Sequence, residues 1–208
     1  MEQKNAALPI LAASLLAEGV HSLHNVPKLL DIETMLHILE RLGCRTVHEE
    51  ERVTVDTSFL LTSHVPEDLM RQMRSSIFLM GPLLAKFGEV TIYQPGGCAI
   101  GERKIDLHLQ GLKLLGAEIE ETAGRICCRA DRLRGCDIHL DYPSVGATEN
   151  IMMAAAMAEG TTTVSGAARE PEIQDLQNFL NAMGGTDYRR RNGYDHHSGC
   201  PQAPSLQL

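Results

Sequence analysis

No CxxC pair occurs in this 208-residue chain, no stretch approaches the ~18 consecutive apolar residues of a membrane-spanning helix, and basic residues are in deficit. Each absence excludes a class. The cysteines at positions 44, 98, 127, 128, 136 and 200 have neither the spacing of a zinc site nor the density of a disulfide framework, so a reducing, cytoplasmic compartment is expected. Lys and Arg number 19 against 27 Asp and Glu, a formal charge of -8, which argues against a nucleic-acid or anionic-membrane partner. Any phosphate site must therefore be local. His21, His24, His37, His48, His108 and His139 are scattered without metal-ligand spacing, so no metal is expected and most are read as structural or solvated. The apolar run Ala6 to Ala17 could pass for a secretory leader, but Pro9 interrupts it, Glu2 precedes it, and Ile151 to Ala158 is a similar run deep inside the chain. Both read as buried helices.

What is present is a repeat. Leu16-Ala17-Glu18-Gly19, Leu84-Ala85-Lys86-Phe87-Gly88 and Met157-Ala158-Glu159-Gly160 each close an apolar helix on a C-capping glycine, and the glycines lie 69 and 72 positions apart. Each is followed by a β-branched or alternating run (Val20 to Val26, Glu89 to Gln94, Thr161 to Ser165) and an amphipathic helix ending Leu42-Gly43, Leu115-Gly116 or Met183-Gly184. Ile32, Met35, Leu36, Leu39 and Leu42 share one helix face, as do Ile173, Leu176, Phe179, Leu180 and Met183. In the first two units a strand pair follows: Arg45 to His48 with Arg52 to Asp56, and Ala117 to Glu120 with Arg125 to Arg129. Three helix and sheet units in an α/β domain over residues 1–184 are expected, with one continuous helix from about Pro66 to Phe87.

After Gly184 the third strand pair fails to appear, and residues 185–208 read as a polar tail with little to bury. Back-translated with suitable codons and read one nucleotide later, Gly185 to Cys200 spells Ala-Arg-Ile-Ile-Gly-Ala-Gly-Thr-Asp-Thr-Ile-Thr-Ile-Gln-Gly, a strand, turn and strand. A frameshift near Gly184 or Gly185 is therefore expected. Sequencing the gene and finding no such downstream frame would remove it.

The chemistry is expected in Gln94-Pro95-Gly96-Gly97-Cys98-Ala99-Ile100-Gly101-Glu102-Arg103, which sets one thiol in a glycine-rich loop with Arg103 and Lys104 behind it. Glycines let backbone amides approach a ligand, and nearby cations favour a thiolate and bind anions. The alternative is a tight turn with an incidental buried thiol.

That loop, together with Lys4-Asn5-Ala6-Ala7-Leu8-Pro9, Met73-Arg74-Ser75-Ser76, Ser144-Val145-Gly146-Ala147-Thr148 and Ala168-Arg169-Glu170-Pro171-Glu172-Ile173, resembles the UDP-N-acetylglucosamine 1-carboxyvinyltransferases. The likeness runs from about Lys4 to Gly184 with the motifs in family order. It implies an enolpyruvyl transferase-like inverted α/β barrel domain. It also implies transfer of the enolpyruvyl group of phosphoenolpyruvate to the 3'-hydroxyl of UDP-N-acetylglucosamine in bacterial cell-wall synthesis, with no metal or organic cofactor. By the same resemblance Cys98 is the proton donor and the thiol alkylated by fosfomycin, and Lys4, Asn5, Cys98 and Arg103 meet phosphoenolpyruvate. Arg74, Arg103, Lys104, Ile105, Asp106, Leu107, Tyr142, Pro143, Ser144, Val145 and Gly146 fall on the nucleotide-sugar site. Many relatives have proline where Lys104 stands. Ser144 also suits a helix N-cap, and Glu170-Pro171-Glu172 suits a helix start.

The resemblance further implies a second, similar domain that supplies an aspartate base and another arginine, which were not found in this chain. The chain alone is accordingly expected to be inactive and marginally stable. Two rival readings are a noncatalytic remnant that keeps weak nucleotide affinity and a relative of the enolpyruvylshikimate phosphate synthases, which lack the cysteine loop.

Overall fold

The computed structural model describes residues 2–93, 105–122, 124–184 and 205–207, with only the backbone described for residues 2–4, 74 and 205–207. The apolar runs become inner helices. α1 (Glu2–Ala13) buries Ala7, Leu8, Leu11, Ala12 and Ala13, and a 3-10 turn, Ser14–Leu16, ends the run. α4 (Met80–Phe87) buries its first five residues, and α6 (Val145–Ala155) is buried from Ala147 to Ala155. Helices apolar all round belong inside. The amphipathic helices α2 (Leu30–Arg41), α5 (Asp106–Leu114) and α7 (Pro171–Ala182) pack outside them, burying the stripes read from the sequence: Ile32, Met35, Leu36 and Leu39 on α2, and Ile173, Leu176 and Leu180 on α7. α6 packs against α4, α5 and α7, while α1 packs against α7 and α2.

Two of the units repeat bond for bond. β1 (Val20–Leu23) pairs antiparallel with β3 (Arg52–Asp56), which pairs with β2 (Arg45–Glu49); β4 (Glu89–Tyr93), β6 (Arg125–Arg129) and β5 (Glu118–Thr122) do the same. In the first unit Thr57 N–H donates to Gly19 O at 2.9 Å and Leu61 N–H to Leu42 O at 2.9 Å. Their counterparts in the second are Ala130 N–H to Gly88 O at 2.8 Å and Arg134 N–H to Leu115 O at 2.9 Å. Gly88 takes φ 73°, the left-handed C-cap that its position after an apolar helix requires. Val53 and Val55, then Ile126 and Cys128, point inward by strand alternation.

The third unit differs. β8 (Thr161–Ser165) lies between β7 (Asp137–His139) and β9 (Ser205–Gln207) and pairs with both in parallel. β7 is only three residues long, with Ile138 buried between exposed Asp137 and His139. The frameshift is expected near Gly184 or Gly185; Gly184 ends a described stretch and residues 185–204 lie outside the described residues, so the frameshift and the bounds of the two expected segments stay an expectation.

The single helix expected from Pro66 to Phe87 is corrected to three pieces: α3 (Glu67–Gln72), a 3-10 turn Arg74–Leu79, and α4. Met73 is extended at φ −135°, ψ 120°. Ser76 Oγ takes over carbonyls that a continuous helix would use, donating toward Met73 O at 2.7 Å and Met70 O at 3.2 Å. The break delivers α4 against α6 at close range: a Cβ on Gly81 would stand 2.4 Å from Asn150 O, so only glycine fits.

Candidate active site

Cys98, Arg103 and Lys104 lie outside the described residues, and the segment that carries them is flanked by Tyr93, ending β4, and Ile105, preceding α5. Tyr93 N–H meets Met70 Sδ at 3.4 Å, which ties the strand end to α3. Lys4 is in the first turn of α1 and Arg74 opens the 3-10 turn. Asn5, next to Lys4, is exposed.

The remaining assigned residues gather at two helix starts. Ile105, half-buried, is the N-cap of α5 with no side-chain capping bond; Asp106 is exposed in the first turn, and Leu107 is buried. The first amides of α5 thus lack a side-chain acceptor at the cap, a setting that favours an anion. At α6, Ser144 caps the helix as its residue type suggested, its Oγ accepting from Ala147 N at 3.4 Å. Tyr142 and Pro143 before it are exposed, while Ser144, Val145 and Gly146 are half-buried.

The two starts are joined by side chains that sequence reasoning passed over. His108, on the first turns of α5, is 7% exposed, and Asn150, on α6, is fully buried. Their side chains meet at 3.0 Å, Asn150 Nδ2 to His108 Nδ1. Asn150 also reaches Ile77 O at 3.1 Å, Gly146 O at 3.4 Å and, through Oδ1, Gly81 N–H at 2.8 Å. Burial holds the His108 pKa down to about 4, so the ring is neutral near pH 7. A Cβ on Gly146 would come within 3.1 Å of His108 Cε1, so the glycine lets the ring and the α6 start touch. Of the six histidines named from the sequence, His108 is thus a buried structural one; His48, also tied into the structure, contacts Glu33 Oε1 at 2.7 Å and Val26 O at 3.1 Å.

Beside Asn150, Glu149 is 1% exposed and its Oε2 lacks a hydrogen-bond partner. Burial, then the nearby charges of Glu172 and Glu170, push its pKa up to about 9, so the carboxyl keeps its proton at neutral pH. Thr148 Oγ1 accepts from Ala168 N at 3.1 Å and anchors the segment that leads to α7. The readable signal for these residues was Thr148-Glu149-Asn150, a polar triplet inside an otherwise apolar helix. α7 begins at Pro171 as expected.

A surface groove of about 810 Å³ lined by Gly88, Glu118, Arg129, Arg132 and Arg134 contains none of these residues. One of its cations, Arg132, is engaged with Glu159 at 2.7 Å. Among the described residues, no group of three or more His, Cys, Asp or Glu side chains could hold a metal, and no helix is long and apolar enough to cross a membrane.

Residues 2–188 match the family model described as EPSP synthase (3-phosphoshikimate 1-carboxyvinyltransferase). The chain is 57% identical over 181 residues to UDP-N-acetylglucosamine 1-carboxyvinyltransferase 2 of Caldanaerobacter subterraneus subsp. tengcongensis, an alignment spanning 87% of this chain and 43% of that protein. It is 52% identical over 202 residues to UDP-N-acetylglucosamine 1-carboxyvinyltransferase 1 of Carboxydothermus hydrogenoformans, covering 94% of this chain and 48% of the relative. The chain therefore spans less than half the length of these relatives. In fold it is similar to the crystal structure of the enolpyruvyl transferase NikO from Streptomyces tendae, with a TM-score of 0.80 at 22% identity over 98% of this chain and 49% of that one.

Proposed function

Because the chain belongs to the EPSP synthase family of carboxyvinyl transferases, we propose that it carries the cysteine-bearing part of an enolpyruvyl transferase whose acceptor is UDP-N-acetylglucosamine. The reaction places the protein at the first committed step of bacterial peptidoglycan synthesis, in the cytoplasm. The observation that carries this reading is the pairing of two helix starts, Ile105–Leu107 and Ser144–Gly146, across the His108–Asn150 contact. The identity to transferases named for this acceptor favours it over shikimate 3-phosphate.

In the proposed chemistry Cys98 gives a proton to the methylene carbon of phosphoenolpyruvate, and the 3'-hydroxyl of the sugar attacks the carbon bearing the phosphate. Loss of phosphate and of a proton from the methyl group so formed then restores the double bond. Lys4 and Arg103 hold the phosphate and carboxylate, where Arg can engage an anion through two parallel donors and Lys as a compact charge. Cationic neighbours also tune the Cys98 thiol for proton transfer. Asn5 assists at phosphoenolpyruvate. Arg74, Lys104, Asp106, Tyr142, Pro143 and Val145 join Arg103 and the helix starts around the nucleotide sugar. No metal or organic cofactor enters the scheme. A second domain of the same enzyme is the partner that the reading calls for, since the base taking the hydroxyl proton is assigned to no residue here.

Calorimetric titration of the chain with UDP-N-acetylglucosamine and, separately, with shikimate 3-phosphate tests the acceptor. Saturable heat with the nucleotide sugar alone is expected. Binding of shikimate 3-phosphate instead, or of neither compound, would contradict the proposal.

A further inference from the structure

The amide of Asn150 can be oriented from its partners. Its Oδ1 accepts from the Gly81 backbone N–H at 2.8 Å, a contact that the Nδ2 end could not make because both groups would be donors. Nδ2 is therefore the end that faces Ile77 O at 3.1 Å, His108 Nδ1 at 3.0 Å and Gly146 O at 3.4 Å. Two N–H bonds serve three acceptors, and the two shorter contacts are the better ones. A donor approaching at 3.0 Å requires a lone pair on His108 Nδ1, so the ring proton resides on Nε2. Among the described residues, Nε2 has no hydrogen-bond partner, and it lies at the α6 start, 3.4 Å from where a Cβ on Gly146 would be.

The same amide touches three separate segments. Ile77 belongs to the 3-10 turn opened by Arg74, His108 follows Ile105–Leu107 on α5, and Gly146 closes the Ser144–Gly146 start of α6. Each of these segments carries residues assigned to the nucleotide sugar under the proposed function, and the inference rests on that reading. We infer that Asn150 is a positioning residue for nucleotide-sugar binding, holding these three segments in register and fixing His108 as the Nε2–H tautomer. Full burial makes the arrangement stringent, because a polar group left unpaired there has no water to turn to.

Asn150→Asp tests this with little change of shape. The carboxylate keeps an acceptor for Gly81 N–H, but its second oxygen cannot donate to Ile77 O, and it draws the His108 proton to Nδ1. Long-range 1H–15N correlation spectra of histidine-labelled chain report the tautomer, calorimetry reports UDP-N-acetylglucosamine affinity, and far-UV circular dichroism reports the fold. Expected are an Nε2–H ring in the wild type, an Nδ1–H ring in the folded variant, and affinity weakened by about tenfold or more. A folded variant that binds as tightly as wild type would overturn the positioning role while leaving the proposed function in place. An Nδ1–H ring in the wild type would overturn it even if the variant failed to fold. A wild-type chain that does not bind the nucleotide sugar would overturn the proposed function, and the positioning role with it.

Discussion

Replacing Glu149 by Gln should change how stability depends on pH more than it changes the fold. The carboxyl is 1% exposed with an unpartnered Oε2, and burial, followed by the charges of Glu172 and Glu170, raises its pKa from 4.5 to about 9. A raised folded-state value means that the contribution of this group is fully present below pH 4.5 and is lost as pH rises through about 9. Between pH 6 and 8 the folded protein holds a proton that the unfolded chain has released. One such group costs about 1.4 kcal/mol of stability per pH unit, or about 2.7 kcal/mol across that interval. Gln has nearly the same shape and no proton to lose, and any penalty from its buried amide does not vary with pH. Urea unfolding of both proteins at pH 6, 7 and 8 isolates the effect as a difference of differences, in which the other titrating groups cancel. Wild type should lose on the order of 2 to 3 kcal/mol relative to Glu149→Gln between the end points. Parallel pH dependences would refute the buried, protonated carboxyl.

Two further outcomes concern residues of α5 and α4 that pack against the same helix, α6. Because burial lowers the His108 pKa from 6.5 to about 4, its contribution is present above pH 6.5 and is lost as pH falls through about 4. Wild type should therefore lose about 1.4 kcal/mol per pH unit over that window relative to His108→Gln, as read from urea midpoints. Gly81→Ala would put a Cβ 2.4 Å from Asn150 O, a backbone atom that cannot turn aside. It should destabilise by about 1–3 kcal/mol in urea melts, and an unchanged midpoint would contradict the close packing of α4 on α6.

The repeat was legible because each unit announces itself locally. An apolar run closed by Gly19, Gly88 or Gly160 and a following amphipathic stripe are both one-dimensional patterns, and the stripes survive into the buried faces of α2 and α7. Of the three expected glycine caps only Gly88 caps its helix; the first run ends at Ala17 and α6 at Ala156, ahead of Gly19 and Gly160. The break at Met73 was not legible, since it arises from the Ser76 hydroxyl competing for Met70 and Met73 carbonyls inside a helix-like pattern. β7 has only three residues, and its pairing with β8 comes from distant chain. The N-cap role of Ser144 could be read from residue type. The partnership of His108 with Asn150, 42 positions apart, could not, because it depends on how α5 crosses α6.

The account turns on Cys98 being a tuned thiol beside a nucleotide-sugar site, and intact-mass spectrometry of the chain exposed to fosfomycin tests that most directly. With and without UDP-N-acetylglucosamine, and with Cys98→Ser as control, a single adduct at Cys98 that forms faster when the nucleotide sugar is present is expected. Labelling spread over other cysteines, or labelling of Cys98 that ignores the nucleotide sugar, would contradict it.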